Sequence, residues 1–231
     1  MRARIGTSGF SYREWKGPFY PEKIKNDAML AYYGERLDTV EINNTFHRMP
    51  REELLEGWAR KVPEDFSFVL KAPRRISHKK GFEGVGEALE MFASNAGTLG
   101  ARLGPALFQF PPWFKKDFET LAGLTRCIPE GFRSALEFRH ESWFDEETYD
   151  FLAERGLALV VSDQKVASPP VVKTAPFGYF RFRQGDYSED QMKHWAEQLK
   201  QAGWDEVFVF YKHEDEGAAP KMAARFREAL S

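Results

Sequence analysis

The stretch Ser134–Trp143, SALEFRHESW, decides the fold. Ala135, Glu137 and Arg139 alternate with Leu136 and Phe138, the period of two that sends successive side chains to opposite faces of a strand. Leu136 and Phe138 suit a sheet face covered by helices, which turns Glu137 and Arg139 toward whatever the sheet encloses. An acid and a base side by side on an inward face are costly unless paired, and functional sites are where that cost is tolerated. The competing reading is an internal salt bridge on a structural strand.

The same alternation recurs along the chain. An opening strand over Arg4 to Ser8 leads into a loop rich in aromatics (Phe10, Tyr12, Trp15, Phe19, Tyr20), which suits a plug at the barrel end better than a ligand floor. Thr39 to Asn43 places Val40 and Ile42 on one face and Glu41 and Asn43 on the other. Phe66 to Ala72 turns Phe66, Phe68 and Leu70 outward and Lys71 inward. Ala106 to Phe110 carries Gln109 near its end and stops at Pro111-Pro112, which cannot continue a ladder. Leu157 to Asp163 is almost continuously apolar, as a strand covered on both faces must be. Gly178 to Arg183 brings Arg181 and Arg183 to one face, and Val207 to Lys212 ends just before His213.

Amphipathic stretches separate these strands, except between the sixth and seventh, where Gln164 to Phe177 carries three prolines and no helical period. The run KAPRRISHKK from Lys71 reads as a loop, its Lys79 and Lys80 solvated and its Lys71 and Arg74 nearest the strand end. Eight strand–helix units argue for parallel pairing with right-handed crossovers. The expected architecture is a closed parallel (β/α)₈ TIM-like barrel, with the helix after the sixth strand missing or reduced, formed by residues 1–231 as a single domain. Its 231 residues compare with about 250 for such barrels. There is no GxGxxG and no Walker motif, which weakens a nucleotide-binding alternative.

Bulk chemistry narrows the function classes. With 33 Lys and Arg against 35 Asp and Glu, no global positive field recruits nucleic acid or an anionic membrane, so any anion site is local. Cys127 stands alone, which excludes an intrachain disulfide and a cysteine zinc cluster and fits a reducing compartment. No stretch approaches the roughly 18 apolar residues of a membrane span. A cytoplasmic protein with no membrane partner is expected.

Glu41, Asn43, Lys71, Gln109, Glu137, Arg139, Asp163, Arg181, Arg183 and His213 all fall at or near strand carboxyl ends. That is one face of a barrel, the one that carries active sites. Together with that position, the sequence resembles the YecE-like barrel proteins, a widespread group of uncharacterised function. The resemblance rests on Gly6–Tyr12, Trp15–Pro21, Val40–Phe46, Lys71–Arg74, Phe108–Pro112, Glu137–His140 with Trp143, and Ser162-Asp163. It implies a barrel with a polar mouth and supplies no reaction. Near the eighth strand the chain departs from the family's Phe-Asn-Asn, having Phe210-Tyr211-Lys212.

Carboxylates among fixed cations suggest proton transfer beside an anion clamp. Glu41, Glu137 and Asp163 are the expected catalytic residues. Asn43, Lys71, Arg74, Gln109, Arg139, Arg181, Arg183 and His213 are expected to bind substrate, a small phosphorylated or carboxylated metabolite. Isomerase, lyase and hydrolase chemistry all fit. No metal and no cofactor is expected. A rival is metal-assisted phosphodiester or nucleic-acid chemistry through Glu41, Glu137, Asp163 and His213, less favoured because cations crowd the site. A third reading is a non-catalytic anion-binding or regulatory barrel.

Overall fold

Strand-forming alternation continues all the way round the structure, a computed structural model that describes residues 1–163, 169–213 and 215–230. Eight strands lie parallel: β1 (Arg2–Ser8), β2 (Thr39–Ile42), β3 (Ser67–Leu70), β4 (Ala106–Gln109), β5 (Ser134–Glu137), β6 (Ala158–Ser162), β7 (Phe177–Phe182) and β8 (Glu206–Tyr211). They run in the order β3-β2-β1-β8-β7-β6-β5-β4. The remaining seam, β3 to β4, is held by single bridges (Phe68 to Leu103, Lys71 to Leu107), with Ala72 N donating to Leu107 O at 2.8 Å. The barrel is therefore nearly closed.

Helices follow the strands: α1 (Met29–Gly34), α2 (Glu52–Ala59), α3 (Arg74–Ser77), α4 (Gly86–Gly97), α5 (Phe118–Thr125), α6 (Glu146–Ala153), α7 (Glu189–Gln201) and α8 (Ala218–Leu230). The run from Lys71 is not simply a loop, since Pro73 fixes an extended backbone and α3 starts directly behind it. Between β6 and β7, residues 164–168 of the expected helix-free crossover lie outside the described residues, and 169–176 are not helical. No helix among the described residues is long and apolar enough to cross a membrane.

Two apolar clusters express the alternation. Ile5, Val40, Ile42, Phe68, Leu70, Phe108, Leu136, Phe180 and Val209 face the helices. Val69, Leu107, Ala135, Val160, Tyr179, Phe208 and Phe210 fill the barrel interior. The first loop joins the helix side: Trp15 and Tyr20 are buried there, and Tyr20 Oη donates to Phe10 O at 2.5 Å. Its aromatics thus pack the helix-side shell and do not join the interior cluster, where a plug of the barrel was expected.

Close strand approach fixes one glycine. A Cβ on Gly6 would stand 2.0 Å from Thr39 O and 2.8 Å from Thr39 C, backbone atoms that cannot swing away. Gly123, in α5, has nothing within 4 Å of the same position. Gly6→Ala is expected to destabilise the fold by about 3 kcal/mol through overpacking, whereas Gly123→Ala gains up to about 1 kcal/mol of helix propensity. Urea denaturation of the two variants checks both signs.

Candidate functional site

Inward positions converge at the carboxyl ends of the strands. Register sets Ser8 beside Glu41, Gln109 beside Glu137, and Ser162 beside Arg181. Glu41 and Glu137 come from β2 and β5, and Arg181 reaches both from β7. Its Nη2 lies 2.7 Å from Glu41 Oε1, and its Nη1 bonds Glu137 Oε2. All three side chains are at most 2% exposed, so this is a buried ionic triad.

Desolvating each ion costs several kcal/mol, and charge-assisted hydrogen bonds return about 1.5–3 kcal/mol each. The triad persists because the bonds are many. Glu41 also accepts from Ser8 Oγ at 2.7 Å, Asn43 Nδ2 at 3.2 Å and Tyr179 Oη at 2.6 Å. Glu137 accepts from Gln109 Nε2 at 2.8 Å, and that amide's Oε1 takes a bond from Lys71 Nζ at 2.7 Å. Gln109 thus joins an ammonium to a carboxylate, and each end of the amide has one role.

Charge states follow from these contacts. Burial pushes the Glu137 carboxyl up, but Arg181, Arg183 and Arg139 overcome it and hold it at about 2. Glu41 is likewise raised by burial and lowered further by Arg181, Tyr179 and Ser8, ending below its ordinary value. Burial and the Glu41 charge keep the Tyr179 phenol protonated. Lys71 moves the opposite way. It is 8% exposed, has no carboxylate within 4.0 Å among the described residues, and lies 4.2 Å over the Phe46 ring. Burial, then Arg181, lower its ammonium to about 8.

The outer cations are held more loosely. Arg139 Nε stands 3.5 Å and Arg183 Nη2 3.9 Å from Glu137 Oε1. The Nε atoms of both arginines are buried without a hydrogen-bond partner among the described residues, as are Ser162 Oγ and Arg181 Nε. Among the described residues four cations (Lys71, Arg139, Arg181, Arg183) therefore share the mouth with two carboxylates, and the three arginines each retain an Nε without a hydrogen bond.

Other expected residues sit elsewhere. Asp163 lies one position past inward-facing Ser162 and bonds Tyr187 Oη and Arg183 N, the latter at 2.8 Å. Since Tyr187 belongs to the helix-side cluster, Asp163 braces the base of the Arg183 segment and stands apart from the triad. His213 follows β8 on the side of Gly185, with Nε2 3.1 Å from where a Cβ on that glycine would lie. Arg74 is exposed at the start of α3 and borders a cleft with Phe46 and His78. Arg181, read as a ligand clamp, has both terminal nitrogens on carboxylates. Sequence reading passed over Ser8, Tyr179 and Ser162, although each shares the inward parity of a chosen neighbour. Among the described residues no three His, Cys, Asp or Glu side chains group as a metal site.

A nearly closed parallel barrel with an ionised, cation-rich mouth defines a TIM-barrel protein whose polar groups gather where barrel active sites do. The chain belongs to the family described as "Protein of unknown function DUF72", whose family model matches residues 4–231, and the YecE-like resemblance is thereby upheld. It is 30% identical over 215 residues to the UPF0759 protein YunF of Bacillus subtilis, covering 84% of this chain and 75% of YunF. It is 27% identical over 142 residues to the UPF0759 protein YecE of Escherichia coli, covering 59% of this chain and 52% of YecE. The crystal structure of a DUF72 family protein from Thermotoga maritima superposes with a TM-score of 0.89 at 32% identity, covering 100% and 99% of the two chains.

A lysine whose value falls on folding binds fewer protons in the folded state between about 8 and its ordinary 10.5. Stability contributed by this group therefore rises with pH across that window. Lys71→Met is expected to be more stable than the parent at pH 7 and to flatten the rise above pH 8. Denaturant midpoints measured at a series of pH values read both effects.

Proposed function

We propose that the barrel mouth binds the phosphate or carboxylate of a small metabolite, and that the protein is an enzyme acting on that ligand in the cytoplasm. The buried Nε groups of Arg139 and Arg183, which make no hydrogen bond among the described residues, carry the reading: both arginines stand only 3.5–3.9 Å from Glu137, whose short hydrogen bonds come from Arg181 and Gln109. Guanidinium donors of this kind take anionic oxygens with bonds roughly twice as strong as neutral ones. Asn43 borders the same mouth and is half-buried.

Proton transfer falls to Lys71 rather than to the carboxylates. A carboxyl held at about 2 is almost fully ionised at neutral pH and a weak base, whereas an amine at about 8 exchanges its proton readily there. Gln109 keeps Lys71 oriented, and Glu137 in turn holds Gln109. Of the reaction classes open to such a site, proton-transfer isomerisation or elimination fits a lysine base better than hydrolysis does. Metal-assisted phosphodiester chemistry is disfavoured by the donor set, since Arg181 bridges the two carboxylates that a cation would need.

Calorimetric titration of inorganic phosphate tests the anion site. Binding to the parent protein is expected to weaken about tenfold or more in Arg183→Ala, as loss of one charge-assisted contact implies, and to persist in Lys71→Met. Equal affinity in parent and Arg183→Ala would refute the assignment.

A further inference from the structure

A second group of cations lies beside the mouth and outside the network described above. A cleft of about 850 Å³ runs between the segment after β2 and the start of α3, and its lining includes Arg48, Arg74, Arg75 and Lys79 but no acid. Among the described residues Arg48, Arg74 and Lys79 enter no ion pair or side-chain hydrogen bond, and Arg75 only donates to Met91 Sδ at 3.5 Å. Four exposed cations without an acid in a chain of net charge −2 mark a local concentration of positive potential.

The cleft and the mouth share a wall. Phe46 lines the cleft, its ring lies 4.2 Å beneath Lys71 Nζ, and the His78 ring is 5.0 Å from it. His78 responds to both regions: burial, then Lys71, Arg74 and Arg139, depress its imidazole to about 4. A neutral imidazole donates or accepts but adds no charge, so the positive character of the cleft belongs to the arginines and Lys79. The volume is that of a small-molecule site.

We infer that this cleft is a second anion subsite, so that the substrate is an elongated metabolite with an anionic group at each end, one held by Arg139 and Arg183 and the other by Arg74 and Arg75. The inference rests on the anion site proposed for the mouth. Phe46 then forms the apolar floor beneath the linking portion of the ligand.

Titration of the full chain with methylphosphonate and with alkane bisphosphonates of increasing length tests it. Beyond a threshold length the bisphosphonates are expected to bind about a hundredfold more tightly than methylphosphonate, the gain that bivalent engagement supplies. The Arg74→Ala/Arg75→Ala double variant, altered only at exposed positions, should lose that gain and keep its methylphosphonate affinity. Bisphosphonates no tighter than methylphosphonate at any length, with methylphosphonate still bound, would overturn the second subsite alone. Failure of the parent to bind methylphosphonate would overturn the mouth assignment and the second subsite together. Tighter binding of oligothymidylate than of any bisphosphonate would overturn the small-molecule form in favour of a nucleic-acid ligand.

Discussion

Arg181 crosses the barrel interior from β7 to carboxylates on β2 and β5, and the character of the mouth depends on that crossing. Without the guanidinium, two carboxyl groups at most 2% exposed would be left in a low-dielectric space. Removing one partner of a buried ion pair typically costs about 3–5 kcal/mol, because the survivor is stranded. The triad also fixes geometry. Strands β2 and β5, three and two places from β7 in the sheet, are tied to one planar group, so that Ser8, Tyr179 and Gln109 meet a carboxylate at a defined position. An apolar filling could support the fold as well, but it would not order donors around the mouth.

Under the proposed function the acids and bases exchange the roles their residue types suggest. Glutamates beside cations look like proton carriers, yet here their charge is used to hold Arg181 and to orient Gln109. Lys71, a residue type usually read as a fixed cation, is the group that burial, then the Arg181 charge, brings down to about 8. Keeping a buried ammonium costs stability, and such costs concentrate at functional positions. Arg139 and Arg183 remain outside the tightest bonds, and the proposed anion site rests on their positive charge.

Much of the architecture was legible because a strand's period of two is insensitive to tertiary detail. The inward parity of Glu41, Lys71, Gln109, Glu137 and Arg181 follows from alternation with Val40, Leu70, Phe108, Leu136 and Phe180, and the structure brings these five into one bonded network. Position at a strand's end is a weaker guide than parity, which already turns Asp163 outward from the inward Val160. Asp163 lies one residue beyond β6, and its side chain turns to Tyr187 in the helix layer while Ser162 takes the inward place. Bonding partners were not legible either, since Tyr179 and Glu41 are far apart in sequence and meet only through barrel closure. The basic run after Lys71 had no period to announce α3, a helix of a single turn whose start is set by Pro73.

The clamp is tested most directly by carbon NMR titration of the side-chain carboxyls in protein labelled at the glutamate Cδ. With Arg181 holding both acids ionised, the Glu137 resonance should keep its carboxylate shift down to about pH 2, moving only there or with acid unfolding. Assignment through Glu137→Gln identifies the signal. A Glu137 resonance that titrates at or above the ordinary 4.5 in folded protein would contradict the clamp and, with it, the division of labour between the carboxylates and Lys71.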